Sequence, residues 1–223
     1  MVKRKGIELK SADTKQTKRM LAIARVSAQL FATKGYVETS MDDIAAAAKV
    51  TKGGIYHYFG SKTDILYHIS SSYVDLDRAG LEQSLDDIHD VSERIKFIVF
   101  HHIDHYVNQP AAAKTLLHES YNLPPKFLRE VRASERRYFE IVSATIADFL
   151  GDKATKELAT TLTFTLFGML NWIYKWYNPK GTMKSAKLSE LIYETFTQGV
   201  RNSILSERGV KSSAKRSPYG NRR

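Results

Sequence analysis

Three histidines fall within five residues, His101, His102 and His105, with Asp104 among them and His118-Glu119 further along. His101 and His105 stand one helical turn apart, the spacing at which two imidazoles on one face can share a metal ion. That pattern would serve a metal-dependent hydrolase or a metal-responsive sensor. A hydrolase helix of the H-E-x-x-H kind carries a glutamate base between its two ligands. Here His102 stands at that place, and no third ligand is set by spacing. The chain contains no cysteine, which excludes thiolate zinc sites, disulfides and cysteine nucleophiles. The histidines read equally well as a hydrogen-bonding or pH-sensitive helix lining an interior. No catalytic set and no resident metal or cofactor is expected.

A second set of residues points to different chemistry. Lys52, Gly53, Tyr56 and His57 recur at the spacing of one helix face, preceded by Thr39, Ser40 and Thr51 and followed by Lys62. An ammonium, a phenol and an imidazole on one exposed face can donate to phosphate oxygens and base edges, and the phenol ring can lie against a sugar or a thymine methyl. Thr39, Ser40 and Thr51 stand where helix N-termini are expected, and there the unpaired amides and the helix dipole favour a phosphate oxygen. The net charge of +10 is concentrated in the flanks. Residues 1–25 hold eight Lys/Arg against Glu8 and Asp13, residues 208–223 hold six and no acid, and the middle nets −2. Between Val26 and His68 the lysines Lys34, Lys49, Lys52 and Lys62 are balanced by Glu38, Asp42, Asp43 and Asp64. Affinity for a nucleic-acid backbone is therefore expected to lean on Lys3, Arg4, Lys5, Lys10, Lys15, Lys18 and Arg19.

Short helices must position this second set. Met20, Ile23, Ser27, Leu30 and Phe31 recur at spacings of three and four from about Gln16, giving one apolar stripe that Gly35 stops. Ser40 followed by Asp43 reads as a capping box for a short alanine-rich helix ending near Lys49, and Thr51 caps a third helix over 52–58 with Ile55 and Phe59 turned to the core. Ser61 with Asp64 opens a long fourth helix. Beyond it, 88–106, 111–121, 126–150, 153–176 and 186–206 all carry helical periodicity, broken at Gln109-Pro110, Leu123-Pro124-Pro125, Gly151-Asp152 and Asn178-Pro179-Lys180-Gly181. The expected class is all-α: an N-terminal three-helix helix-turn-helix domain plus a larger helical domain. The divisions expected are a flexible basic arm at 1–15, the helix-turn-helix at 16–70, the larger domain at 71–206 and a basic tail at 207–223.

The run Ile44-Ala45, Ala48-Lys49-Val50-Thr51-Lys52-Gly53-Gly54-Ile55-Tyr56-His57-Tyr58-Phe59, then Ser61-Lys62 and Leu66, resembles the signature of TetR-family regulators across about fifty residues. The resemblance implies that Lys52, Tyr56, His57 and Lys62 meet double-stranded DNA and that the chain works as a homodimer. Two positions depart from the family pattern: Lys49 replaces the usual glycine, and Gly54 replaces a frequent Ser or Thr. Adjacent glycines in a recognition helix cost about 1 kcal/mol each against alanine.

Two half-sites about one helical turn apart require a dimer interface elsewhere. The last two helices, with Leu158, Leu162, Leu166, Met169, Leu170 and Ile173 on one and Leu188, Leu191, Ile192, Phe196 and Val200 on the other, are the candidates for a four-helix bundle with their symmetry mates. Phe100, Tyr121, Tyr138 and Phe167 are candidates to line a pocket for a small apolar effector. Gly168-Met169-Leu170-Asn171-Trp172, followed by Trp176-Tyr177-Asn178-Pro179-Lys180-Gly181, resembles the C-terminal motif of the TetR-like branch that responds to acyl-CoA esters in fatty-acid or steroid breakdown. That resemblance implies an acyl-CoA effector, with Asn171 and Trp172 at the site and Arg136 or Lys175 available to its phosphates. A regulator of multidrug efflux with another apolar ligand is the alternative. No run of apolar residues reaches membrane-spanning length, and a cytoplasmic location is expected.

Overall fold

The computed structural model describes residues 11–205. Among these every regular element is helical and none is a strand. The elements in order are α1 (Ser11–Lys34), α2 (Met41–Ala48), α3 (Lys52–Tyr56), α4 (Lys62–Leu85), α5 (Val91–Asn108), α6 (Pro110–Glu119), α7 (Pro125–Leu150), α8 (Lys156–Asn171) and α9 (Ser185–Val200), with short 3-10 turns after α6, α7 and α8. The arm residues Lys3, Arg4, Lys5 and Lys10 and the tail 207–223 lie outside the described residues.

Several boundaries move from their expected places for local reasons. Helix α1 begins at Ser11 rather than near Gln16, so 11–15 is helix and not arm. Segment 153–176 is not one helix. Gly151 takes a left-handed φ of 55°, a 3-10 turn covers Gly151–Lys153, and the Thr155 hydroxyl then caps α8 by accepting from the Leu158 amide at 3.1 Å.

The described chain divides into two compact units, and the division differs from a cut at residue 70. The first unit holds residues through Leu76 together with Gln109–Ser134, the second Asp77–Asn108 together with Glu135 onward. In the first, α6 packs on α1, where the buried Thr115 hydroxyl donates to the Ala28 carbonyl at 3.3 Å. Ile23, Ala28, Phe31, Ile44, Ile55, Phe59, Ile65 and Leu66 form the core beneath α2 and α3, and the small Ala45 and Ala28 let the helices approach closely. Also within this unit, the Tyr67 ring stacks on Phe127 with centroids 4.4 Å apart, and Ser134 donates to Asp75 at 2.9 Å. The second unit has its own core, built from Ile95, Ile98, Val99, Ile103, Val142, Ile146, Leu166, Leu170, Leu188, Ile192, Phe196 and Val200, with α5 lying against α9.

Candidate nucleic-acid interface and interior site

The short helix α3 is held by devices that lead into its N-terminus. Ahead of α2, the Ser40 hydroxyl accepts from the Asp43 amide at 3.0 Å, and the Asp43 carboxylate accepts from the Ser40 amide at 2.8 Å, a complete capping box. Lys34 reaches the same carboxylate at 2.7 Å. The Lys34 ammonium and the two Ser40 donors hold the Asp43 carboxyl well below the usual carboxylate range. Helix α2 ends at Lys49, whose φ of 55° and ψ of 49° are left-handed. This is the conformation that favours glycine at a helix end, so the departure at Lys49 keeps the turn geometry and bears a strain of roughly 1–2 kcal/mol. Arg19 on α1 donates to the Lys49 carbonyl at 3.4 Å. Thr51 then caps α3, its hydroxyl accepting from the Gly54 amide at 3.0 Å.

With Ile55 and Phe59 buried below, Lys52, Gly53, Tyr56 and His57 are all exposed. Lys52 pairs with Asp42 at 2.9 Å, and this hydrogen bond raises the lysine above its ordinary pKa. A Cβ added at Gly53 would meet nothing within 4 Å, whereas one at Gly54 would lie 3.3 Å from the Thr51 hydroxyl oxygen. Gly54 thus leaves room for the cap, while Gly53 answers no packing need of this chain and leaves its backbone open to approach. Beside the end of α3 an open hollow of about 590 Å³ is lined by Lys15, Gln16, Lys18, Arg19, Ala22, His57 and Tyr58. The basic first turns of α1 therefore flank the exposed face.

Two expected contact residues are used differently. Thr39 is 1% exposed, and its hydroxyl donates to the Gly35 carbonyl at 2.7 Å, closing the end of α1 instead of facing a phosphate. Lys62 turns its ammonium inward to the carbonyls of Tyr36, Val37 and Thr39 at 2.7, 3.2 and 2.8 Å, and over the Tyr36 ring at 4.4 Å. Burial pulls its pKa below the ordinary lysine value. It ties the α1–α2 loop to the start of α4, its ammonium, drawn partly out of solvent, donating to three loop carbonyls that converge there. Ser40 and Thr51 remain exposed at their helix starts.

The interior candidates divide as well. In the second unit His102 on α5 is 8% exposed and Tyr138 on α7 is 6% exposed. The Tyr138 hydroxyl lies 3.0 Å from His102 Nδ1, and Asn171 Oδ1 lies 3.0 Å from His102 Nε2. Phe167 stacks against the His102 and Tyr138 rings at 6.0 and 5.8 Å, and Phe100 is half-buried. Tyr138, Phe167 and Asn171 are thus brought together, around a histidine grouped in the sequence with the metal-type cluster. Its own pattern distinguishes it: Ile95, Ile98, Val99, His102 and Tyr106 form the buried stripe of α5, while His101 and His105 stack on each other one turn apart on a neighbouring face, centroids 6.4 Å apart. Among the described residues no group of three or more His, Asp or Glu is placed to hold a metal ion. Tyr121 does not join the site. It belongs to the first unit and is 69% exposed, in the 3-10 turn after α6. Arg136, Trp172 and Lys175 are exposed, and the Lys175 ammonium sits 5.5 Å from the Tyr174 ring.

Much of the stripe expected at a dimer interface is core instead. Leu166, Leu170, Ile173, Leu188, Ile192, Phe196 and Val200 are buried within the second unit, Leu158, Leu162 and Met169 of the same stripe are half-exposed, and Phe164 and Leu191 are exposed. No helix among the described residues is long and apolar enough to cross a membrane.

Comparison with known proteins agrees with these features. Residues 23–69 match the model for bacterial regulatory proteins of the tetR family, and residues 89–200 match the tetracyclin repressor-like C-terminal domain. The HTH-type transcriptional repressor KstR2 of Mycolicibacterium smegmatis is 22% identical over 187 residues, 81% of this chain and 90% of that protein. A TetR-family regulator from Bordetella parapertussis superposes with a TM-score of 0.78 at 29% identity, over 82% of this chain and 96% of that one. AibR, solved in complex with isovaleryl coenzyme A and operator DNA, superposes with a TM-score of 0.70 at 26% identity, over 79% and 97% of the two chains. A helix-turn-helix whose third helix offers an exposed Lys-Gly-Tyr-His face, on a chain matched by both family domains, places this protein in the TetR family of DNA-binding transcriptional regulators.

Proposed function

We propose that this regulator is a homodimeric, cytoplasmic repressor that leaves its operator when a small apolar effector, an acyl-CoA ester, enters the second unit. The observation that carries the DNA side is the exposed face of Lys52, Gly53, Tyr56 and His57 above a buried Ile55. Tyr56 and His57 reach base edges, Lys52 exchanges Asp42 for a phosphate or a guanine edge, and Ser40, Thr51, Lys15, Lys18 and Arg19 hold the backbone. The effector side is supported by the Asn171-Trp172 motif and by likeness to AibR, which was solved with isovaleryl coenzyme A. Exposed Arg136 and Lys175 are available to the CoA phosphates. Phe164 on α8 and Leu191 on α9, large apolar side chains left outward, support pairing of these helices with their symmetry mates. Effector binding favours a spacing of the two recognition helices that no longer fits the half-sites, which releases DNA by population shift.

The test is a gel shift with the DNA flanking its own gene, at stated salt, titrated in parallel with palmitoyl-CoA, isovaleryl-CoA, free fatty acid, CoA alone and zinc. Specific binding released by an acyl-CoA and not by CoA supports the reading. Release by zinc alone, or by an apolar compound lacking CoA, moves the effector to another class. An intact dimer that shifts no fragment overturns the DNA reading.

A further inference from the structure

The family resemblance gives DNA two lysines of the first unit, and the structure uses them in opposite ways. Lys52 lies exposed on α3 beside Asp42. Lys62 is half-buried, and the three protons of its ammonium are matched by three carbonyls, those of Tyr36, Val37 and Thr39. No proton is left over for a phosphate.

Those carbonyls lie where α2 begins. Thr39 immediately precedes Ser40, the N-cap of α2, and the loop reaches that cap from Gly35, whose φ of 98° turns the chain after α1. A second link runs beside the first, since the Tyr36 hydroxyl lies 3.0 Å from Thr63 Oγ1. The Tyr36 ring lies 4.4 Å beneath the Lys62 ammonium and meets the buried Phe31 edge-on, with centroids 5.2 Å apart. From the other side, the Ser61 hydroxyl accepts from the Asp64 amide at 3.1 Å and fixes the first turn of α4, which carries Lys62 and Thr63. Core, loop and α4 are thereby joined just ahead of the α2 cap.

Helix α3 has only five residues, too few to hold a direction of its own. It points where α2 and the Lys49 turn leave it, and the start of α2 is set by the Lys62 links. Backbone contacts hold a protein on a duplex whatever its sequence, whereas base edges are read only in the correct geometry. A small rotation of α3 therefore harms sequence reading more than general attraction to DNA. We propose that Lys62, with Tyr36 beneath it, is a positioning residue for sequence reading: it sets the angle at which α3 meets base edges and does not itself touch DNA. This rests on the reading of α3 above.

The experiment compares the full-length wild type with Lys62→Met across a salt series. Two duplexes are used: the flanking fragment that the wild type shifts, and a shuffled duplex of the same length and composition. Lys62→Met should lose about tenfold or more in affinity for the flanking fragment, the size of one lost base contact. Its affinity for the shuffled duplex, and the salt slope there, should stay as in wild type. A phosphate contact behaves differently, because its loss weakens every sequence alike and lowers the salt slope by about one per protomer. A second readout is nitrogen NMR of the lysine Nζ atoms in the wild type, where the Lys62 signal should hold its place when the fragment binds. If Lys62→Met fails to melt cooperatively, that signal decides. A uniform loss with a shallower slope, a fragment affinity that Lys62→Met keeps in full, or an Nζ signal that moves on binding overturns this proposal alone. A wild type that shifts no fragment overturns the reading of α3 along with it.

Discussion

In the first unit the polar side chains are spent on geometry or left in water: Ser40, Asp43, Thr51 and Lys62 close helix ends, and Lys52, Tyr56 and His57 face outward. In the second unit the notable polar side chains, His102, Tyr138 and Asn171, turn inward and satisfy one another among hydrocarbon. The difference has an energetic meaning. An outward donor loses nothing by being unpaired, because water serves it, so its removal costs the fold little. An inward donor that loses its partner is stranded at a cost felt at once by the fold.

Two substitutions of similar magnitude should separate these regimes. Tyr56→Ala is expected to weaken operator binding by about 1–3 kcal/mol per half-site, seen in the gel shift and absent from the urea midpoint. His102→Leu removes the ring that bonds the Tyr138 hydroxyl and Asn171 Oδ1 and should lower unfolding stability by about 1–3 kcal/mol, read as a fall in urea midpoint at unchanged slope. If Tyr56→Ala lowers the midpoint as much as His102→Leu does, the contrast between the units fails. A smaller effect of opposite sign is expected in the turn: Lys49→Gly relieves the left-handed conformation and should raise stability by about 1 kcal/mol, measured by the same denaturation.

The smallest effect lies at the capping box. The Asp43 carboxyl titrates well below the ordinary carboxylate value in the folded chain. Its contribution is therefore complete above that ordinary value and is lost as pH falls through it toward the folded pKa. The stability gap between wild type and Asp43→Asn should accordingly be widest near neutrality and close on acidification below about pH 4, followed by thermal melts across that range. A gap that widens in acid would place the linkage elsewhere.

The first unit was largely legible in advance because its signals are local. Ser40 with Asp43, Thr51 with Gly54 and Ile55 with Phe59 lie within one turn of each other, and caps and apolar periodicity act over that distance. The exposed face of α3 followed from them. Thr39 and Lys62 read in sequence as an exposed pair, whereas the structure buries the first and turns the second over three carbonyls, because their partners are decided by how loop 35–40 folds onto α4. The second unit was legible only as helices. Nothing local says that α6, between two prolines, belongs with α1, nor that Tyr121 falls outside the interior group.

By itself the sequence determined the helix class, the caps and the outward face of α3, since each depends on residues a few positions apart and on backbone propensity. Only the tertiary structure decided that His102, Tyr138 and Asn171 meet, across separations of 36 and 69 residues, and that most of the α8 and α9 stripe is core. Such contacts arise from the packing of whole helices, where the choice of neighbour is set by the sum of buried area over the unit and not by any pair of residues read in order.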